Sequence, residues 1–259
     1  MPSHSIRRLL LPLICLLGWM QPAHADEPAT AAPLRILVYG DSNTWGWRPS
    51  LDDSPLPRYA DGERWAGVLQ NGLGAGYQVM VNGLIARTLN ADLPPGVGPL
   101  SGAEHNGLKR LDSALMEAGP VHLLIVMLGS NDMMDVLHRS PKQIAAGLGQ
   151  LVRKARAGTE PYAAPEAPRL LIIVPPAFGD PSRGPFKQLF GPAAVAKSAQ
   201  LAQAMRQEAL RLKLPLMDAG QPVSLKDSAD GIHLTAQAHA ELGRAVAAEV
   251  RKRLAPAKE

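Results

Sequence analysis

Leu34–Tyr39 reads LRILVY, and the stretch that follows it, Gly40–Trp47, reads GDSNTWGW. A continuous apolar run of this length is typical of a β-strand that is buried on both faces, as the strands of a parallel sheet are. Gly40 lets the chain turn sharply, so Ser42 is expected just beyond the carboxyl end of the strand. Ligands of open parallel sheets bind at that edge, which makes Ser42 the first candidate site residue.

The same combination of a buried strand and a polar turn recurs later in the chain. Val121–Leu128 (VHLLIVML) is the clearest buried strand, and Gly129–Asp132 (GSND) follows it. Other apolar runs predict further strands, and apolar residues at helical spacing predict helices between them. The further strands are Tyr77–Val81, Leu170–Val174 and Leu214–Met217, and the helices are Glu63–Leu73, Leu108–Met116, Ser140 to about Arg156, Pro192–Leu212 and Thr235–Leu254.

Five strands separated by helices predict a parallel sheet with right-handed crossovers, and therefore a doubly wound α/β domain. We expect this domain to occupy residues 34–255, with no internal repeat or dividing linker. Three stretches rich in proline and glycine, residues 48–62, 91–106 and 175–192, interrupt it. Long loops of a compact domain often form the rim of a binding site.

The composition excludes several classes of protein. The chain of 259 residues is 46% hydrophobic and 19% charged, which is not typical of a disordered, collagen-like or coiled-coil chain. The formal net charge is +4, and Arg7 and Arg8 contribute two of these charges within a segment that we expect to be removed. The small remaining excess is scattered along the chain, so no nucleic-acid partner is expected.

The first 25 residues have the pattern of a secretory signal peptide. A basic start precedes the apolar run Leu9–Trp19, and the small-x-small sequence Ala23–Ala25 follows it. The run is shorter than the roughly 20 residues of a membrane span, so no membrane anchor is expected. Cys15, the only cysteine, lies inside it, and the exported protein would have no disulfide and no cysteine nucleophile. Residues 26–33 are expected to be a flexible leader, and the protein to be periplasmic or secreted.

Polar residues with complementary chemistry follow three of the predicted strands. Ser42 follows the first strand and Asn131 the third, while Asp230 and His233 come after the last strand in the sequence DGIHLT. Each of them alone is a weak signal, because such residues more often cap helices or form turns. Together they bring a nucleophile, an amide donor, an orienting carboxylate and a base to one edge of a sheet. Acyl transfer requires this combination of groups.

On these motifs the sequence resembles the SGNH (GDSL-type) hydrolases over nearly all of the expected mature chain. Gly40–Ser42 matches the first block of that family, Gly129–Asp132 its Gly-x-Asn-Asp block, and Asp230–His233 its Asp-x-x-His block. The sequences GDSNTWGW, LIART (Leu84–Thr88) and MLGSND are similar to the bacterial arylesterase/acyltransferase branch. The resemblance implies a three-layer α/β/α fold with a flavodoxin-like five-stranded parallel sheet. It also implies that Ser42 is the nucleophile, His233 the base and Asp230 its partner.

The resemblance also implies an oxyanion hole with three donors. These are the backbone N–H of Ser42, the side chain of Asn131 and a backbone N–H from the family's second block. Most members have glycine at that last position, whereas the matching residue here is Ala86, as in the similar branch. A backbone donor does not require glycine if the local conformation accommodates a Cβ atom. Gly83 is the alternative donor.

Other motifs in the chain do not support a different chemistry. There is no Gly-x-Ser-x-Gly motif, which disfavours the lipase-type α/β-hydrolase fold. The glycine-rich stretches 72–76 and 102–107 lack the strand context or the lysine spacing of nucleotide-binding loops. The seven histidines show no metal-ligand clustering. We therefore expect neither a cofactor nor a metal.

The function implied by the resemblance is an exported serine esterase acting on a small-molecule ester. It would hydrolyse small acyl groups from aryl or alkyl esters, or transfer them to an alcohol. Trp47 is expected to bind substrate beside Ser42, together with Trp45 and residues 48–62; the alternative is that both tryptophans pack into the core. A carbohydrate O-deacetylase and a catalytically silent binding module are the alternative functions. Whether the protein forms a homo-oligomer stays open.

Overall fold

The computed structural model describes residues 32–52, 58–157 and 167–254. The predicted signal peptide lies outside the described residues, and so does the leader except for residues 32 and 33. Within the described residues, five parallel strands form one sheet in the order β2-β1-β3-β4-β5. The strands are β1 (Leu34–Gly40), β2 (Tyr77–Gly83), β3 (Leu123–Met127), β4 (Arg169–Val174) and β5 (Leu216–Asp218).

Helices cover both faces of this sheet. They are α1 (Ser42–Trp45), α2 (Trp65–Leu73), α3 (Gly107–Ala118), α4 (Pro141–Ala157), α5 (Ala194–Arg211) and α6 (Ala236–Leu254). Alternate strand residues face opposite sides of the sheet, so β1 contributes Leu37 to one buried cluster and Ile36 to another. The first cluster includes buried residues of α3, α4 and α5, and the second includes those of α2 and α6. This arrangement confirms the expected three-layer, flavodoxin-like α/β fold.

Several helix ends are fixed by the residues that the sequence singles out. The Ser140 and Gln143 side chains each accept the other's backbone N–H, which is the predicted capping box before α4. Gly74 ends α2, and Asn106 caps α3 by accepting the N–H of Lys109.

Some predicted boundaries shift by two residues, because turns replace the first residues of the apolar patterns. Glu63 belongs to a turn in which its N–H and its carboxylate both bond to the backbone of Ala60, so α2 begins only at Trp65. Leu214 still donates to the carbonyl of Ala209 as the chain leaves α5, so β5 begins at Leu216.

The register of the central strands brings their carboxyl ends to one level. Gly40 at the end of β1 pairs with Gly83 on one side and with Met127 on the other. The turns after β1 and β3, which carry Ser42 and Asn131, therefore start side by side. In the described part of the chain, no helix is long and apolar enough to cross a membrane.

Candidate active site

Ser42, His233 and Asp230 form a continuous chain of hydrogen bonds. The Nε2 atom of His233 lies 2.9 Å from the Oγ atom of Ser42, and its Nδ1 atom lies 2.8 Å from Oδ2 of Asp230. All three residues are buried. A carboxylate on Nδ1 fixes the tautomer in which Nε2 is free to accept the serine proton.

The carboxylate of Asp230 is held in place by several donors. Its Oδ1 atom accepts the backbone N–H groups of Ile232 and His233, each at 2.9 Å, and the hydroxyl of Ser228 at 3.1 Å. Burial alone would raise the pKa of Asp230, but the hydrogen bonds and charge of His233 outweigh it and lower that pKa. Asp230 is therefore ionised at neutral pH, and Oδ2 is left to orient the imidazole.

The short helix α1 presents Ser42, and its neighbours tie it to the histidine loop. Asp41 caps this helix by accepting the N–H of Asn43 at 3.0 Å. The Asn43 side chain accepts the N–H of Leu234 at 2.8 Å and donates to the carbonyl of Ile232 at 3.2 Å. Sequence reasoning missed this role of Asn43, although its position directly after Ser42 was the available signal.

Asp41 is completely buried beside the site. Desolvation raises its pKa to about 6, although the bond from Asn43 and the positive charges of His233 and Arg87 oppose the rise. The carboxyl group that caps the helix of Ser42 therefore takes up a proton at a higher pH than an exposed aspartate does.

Asn131 is aimed by a bond to the neighbouring segment. One N–H of its Nδ2 donates to the carbonyl of Arg87 at 3.0 Å, and the side chain borders a pocket shared with Ser42 and His233. The guanidinium of Arg87 in turn donates to the carbonyls of Gly40 at 2.9 Å and Asn82 at 2.6 Å. Arg87 thus connects the ends of β1 and β2, a role that sequence reasoning missed although Arg87 lies in the LIART motif.

Ala86, and not Gly83, borders the pocket beside Ser42. Ala86 adopts a positive φ of 61°, a conformation that is uncommon for a residue with a Cβ atom. Gly83 instead lies against the backbone of Thr44 and Trp45, where a Cβ atom would collide with it. Of the two candidates for the backbone donor of the second block, Ala86 is therefore the one that borders the pocket.

The pocket at Ser42 has a volume of about 260 Å³ and is mostly apolar. Among its lining residues within the described chain, Ser42, Asn131 and His233 carry polar side chains, and Trp47 adds an indole N–H. The others are Trp47, Ile85, Ala86, Gly98, Pro99, Met134, Phe186, Leu189, Phe190 and Ile232.

Trp47 belongs to the pocket wall and is only half-buried. Its ring centroid lies 5.5 Å from that of His233 and 6.0 Å from that of Phe186. Trp45 does not line the pocket, but it packs on Trp47 at 6.1 Å and carries the guanidinium of Arg58 over its ring. Trp47 is therefore part of the pocket wall and is not packed into the core. Trp45 lies outside the pocket and packs against Trp47.

The expectation that residues 48–62 wall the pocket is wrong for the part of them that the structure describes. Tyr59 in this stretch donates its backbone N–H to the carbonyl of Gly46 and packs edge-to-face on His239 of α6, and it does not border the pocket. The other two loops supply the walls instead, Gly98 and Pro99 from one and Phe186, Leu189 and Phe190 from the other. Their only sequence signal was membership of a long loop rich in proline and glycine.

No group of three or more potential metal ligands occurs among the described residues. Two histidines outside the site accept backbone N–H groups: the Nδ1 of His122 from Arg35, and that of His239 from Trp65. Burial lowers the pKa of His239 to about 3, with the charges of His233 and Arg64 adding to the effect. Its neutral ring serves the packing of α6 against α2.

The arrangement can generate a nucleophile and accept negative charge in a mostly apolar pocket. His233 can remove the proton of Ser42, Asp230 can stabilise the resulting imidazolium, and Asn131 can donate to an oxyanion. These groups suit attack on a carbonyl carbon by a serine hydroxyl.

Solved structures with the same fold carry related activities in their descriptions. The chain is 38% identical to the aryl esterase of M. smegmatis, with a TM-score of 0.78 over 85% of this chain and 100% of that one. It is 34% identical to Est24, a carbohydrate acetylesterase from Sinorhizobium meliloti, with a TM-score of 0.73 over 85% and 100% of the two chains. Among curated proteins, none matches this chain significantly.

A family model agrees with these structural likenesses. The model of the GDSL-like lipase/acylhydrolase family matches residues 38–241, a range that contains Ser42, Ala86, Asn131, Asp230 and His233. The matched range begins within β1 and contains the whole of β2, β3, β4 and β5. The chain therefore belongs to the GDSL-like lipase/acylhydrolase family, the SGNH hydrolases.

Proposed function

We propose that this protein is a serine esterase that cleaves neutral esters of small acids with aryl or simple alkyl alcohols. The observation that carries the proposal is the hydrogen-bonded chain from Asp230 through His233 to Ser42, which opens on an apolar pocket. Membership of the acylhydrolase family and the likeness to an aryl esterase support it.

In the first half of the proposed reaction, His233 takes the proton of Ser42 while Oγ attacks the ester carbonyl carbon. The carbonyl oxygen becomes an oxyanion, which accepts hydrogen bonds from the backbone N–H groups of Ser42 and Ala86 and from Nδ2 of Asn131. The tetrahedral intermediate collapses as His233 returns the proton to the leaving alcohol. An acyl-enzyme on Ser42 and a free alcohol are the products.

In the second half, a water molecule gives its proton to His233 and attacks the acyl-enzyme. The same donors stabilise the second oxyanion, and collapse releases the acid and restores the Ser42 hydroxyl. An alcohol can replace water in this step, in which case the product is a new ester. The aromatic ring of Trp47 beside His233 favours an alcohol with an apolar body, because such an alcohol gains contact area that water does not.

The lining of the pocket favours aryl and alkyl esters over sugar esters. Apart from Ser42, Asn131, His233 and the indole N–H of Trp47, the side chains of the described lining offer no hydrogen-bonding group for the hydroxyl groups of a sugar. Burying hydroxyl groups without hydrogen-bond partners makes binding less favourable, whereas burying an aryl or alkyl group makes binding more favourable.

A carbohydrate O-deacetylase is the second candidate, and the 34% identity to Est24 favours it. The two activities differ in the alcohol part of the substrate, and a panel of substrates separates them. We expect phenyl acetate to have a kcat/KM at least tenfold higher than acetylated xylan or acetylated glucose. A higher value on the acetylated carbohydrates would assign the deacetylase activity.

A catalytically silent binding module would keep the fold without the reaction. Labelling of the purified protein with a fluorophosphonate tests for an activated serine, because the reagent reacts with the nucleophile of serine hydrolases. Stoichiometric labelling at Ser42 is the expected result. Failure of labelling together with absence of esterase activity would favour the binding module.

We also propose that the protein is exported, on the strength of the basic, apolar and small-x-small pattern in residues 1–25. The expected mature protein begins at Asp26. Expression of the full chain in a Gram-negative host, followed by periplasmic fractionation and N-terminal sequencing, tests this. Recovery of the uncleaved chain in the cytoplasm would contradict it.

A further inference from the structure

A second buried histidine, His105, lies next to the pocket. It takes no part in the hydrogen bonds that connect Ser42, His233 and Asp230. His105 is fully buried, and both of its ring nitrogens have partners. Nδ1 lies 3.1 Å from the carbonyl oxygen of Ile85, and Nε2 accepts the backbone N–H of Leu100 at 3.2 Å. Because a carbonyl can only accept and an N–H can only donate, the ring is neutral with its proton on Nδ1.

The two partners of this ring belong to opposite parts of the pocket lining. Ile85 and the adjacent Ala86 line the pocket on the oxyanion side, and Gly98 and Pro99, directly before Leu100, line it from the loop of residues 91–106. A Cβ atom on Gly98 would lie 2.7 Å from Nε2 of His105, so this loop passes directly over the ring. Leu100 is 48% exposed, which places this wall next to solvent.

The backbone of His105 is anchored independently of its ring. Its carbonyl oxygen accepts the N–H of Thr88 at 2.9 Å, and the next residue but one, Gly107, donates to the carbonyl of Thr88 at 3.0 Å. Asn106 between them caps α3. The imidazole therefore extends from a fixed point and holds the segment of Ile85 and the loop of Leu100 at a set separation.

We propose that His105 is a positioning residue that sets the width of the pocket between Ala86 and Pro99 and so limits the size of the acyl group. The proposal rests on the proposed esterase function of the same site. The two hydrogen bonds of the His105 ring have different roles. The bond to Leu100 holds the outer wall, and the bond to Ile85 holds the segment that carries the oxyanion donor Ala86. Neither bond touches the reacting atoms.

Two substitutions separate these bonds. In His105→Asn, the amide nitrogen occupies the place of Nδ1 and can still donate to Ile85, but nothing reaches Leu100. In His105→Gln, the amide oxygen reaches the place of Nε2 and can still accept from Leu100, but the donor to Ile85 is lost. The readouts are kcat and KM for p-nitrophenyl acetate and p-nitrophenyl hexanoate, with active sites counted by fluorophosphonate titration.

The expected results differ between the two variants. His105→Asn should lower the acetate-to-hexanoate ratio of kcat/KM at least tenfold, mainly through a lower KM for the longer ester. His105→Gln should keep that ratio within threefold of wild type and should instead lower kcat on the acetate ester about tenfold. A ratio within twofold of wild type in His105→Asn, or equal relaxation of the ratio in both variants, would overturn the proposal.

A variant on the loop side keeps the test informative if the histidine variants do not fold. Leu100→Pro removes the N–H that donates to Nε2 and leaves His105 and Ile85 unchanged. It should reproduce the change in chain-length ratio seen with His105→Asn, and a wild-type ratio would overturn the proposal. Loss of all labelling and turnover in the wild-type protein would instead overturn the esterase function itself, so the two failures are distinguishable.

Discussion

The Nε2 atom of His233 lies 2.9 Å from the Oγ atom of Ser42, although 191 positions separate the two residues in the chain. The first strand delivers the serine to the edge of the sheet, and the loop before the last helix delivers the histidine to the same edge. The proton acceptor of the proposed mechanism therefore lies within hydrogen-bond distance of Oγ.

Ser42→Ala should remove esterase activity and fluorophosphonate labelling while the protein still folds. The hydroxyl is expected to serve covalent chemistry, and its loss removes the atom that carries the acyl group. Hydrolysis of p-nitrophenyl acetate and the thermal unfolding midpoint are the measurements. Ser224→Ala is a matched control, because Ser224 is exposed and outside the pocket. Activity within tenfold of wild type in Ser42→Ala would remove this serine from the mechanism.

Asp230→Asn should lower kcat by roughly 10³–10⁴-fold. An amide cannot stabilise the imidazolium of His233 and favours the wrong tautomer of the ring. The nearby Asp227→Asn, at an exposed position of the same loop, should have wild-type kcat. A loss below tenfold in Asp230→Asn, at unchanged thermal stability, would mean that Asp230 does not orient the base.

Asn131→Ala should cost roughly 3–4 kcal/mol of transition-state stabilisation, with KM changed much less than kcat. One N–H of the Nδ2 atom donates to the carbonyl of Arg87, so the other N–H is available to donate to the oxyanion. Steady-state kinetics on one short ester give the two parameters separately. A rise in KM alone would make Asn131 a substrate-binding residue.

The buried strands and the motifs after them could be predicted from sequence because their signals are local. The run LRILVY is apolar over a length that fits a strand, and the strands at Val121–Leu128 and Leu170–Val174 are recognised in the same way. The order of the strands and the meeting of Ser42 with His233 follow from general rules of parallel sheets, together with the family resemblance.

The pocket walls could not be predicted in the same way. Phe186 and Phe190 lie in a loop without periodicity, so nothing local shows that they turn toward Ser42. The described part of residues 48–62 does not border the pocket as expected, and Tyr59 within it packs on His239, which lies 180 positions away in the chain. His105 carries no motif, and its role depends on a carbonyl and an N–H in two other segments.

Acid should destabilise the protein partly through His239. Its pKa is about 3 in the folded protein and 6.5 in an unfolded chain, so between these values the unfolded state binds more protons. Stability is therefore lost as the pH falls below 6.5, at about 1.4 kcal/mol per pH unit at most for one group. The His239→Asn variant can still accept the N–H of Trp65. Its free energy of unfolding, measured with urea, should fall clearly less between pH 7 and pH 4 than that of the wild-type protein. Parallel losses in both proteins would contradict this.

Trp47→Ala should shift the products from a new ester toward the free acid. In the proposed mechanism the acyl-enzyme is attacked by water or by an alcohol, and the indole beside His233 offers apolar contact only to the alcohol. The wild-type protein should therefore transfer acetyl groups from p-nitrophenyl acetate to benzyl alcohol in mostly aqueous buffer. Release of p-nitrophenol, which reports acyl-enzyme formation, should change much less.

The control for this change is Trp47→Phe, which keeps an aromatic face in contact with His233 and Phe186 and should retain most of the transfer. The measurement is the ratio of benzyl acetate to acetate at a fixed concentration of benzyl alcohol, followed by chromatography. Because the step at the ester carbonyl is the same for both acceptors, the ratio isolates the choice of the second nucleophile. The proposal would be contradicted if this ratio, in wild type and in Trp47→Ala alike, equals the value expected from the bulk concentrations of alcohol and water. The protein would then be a simple hydrolase, and Trp47 would line the pocket without selecting the acceptor.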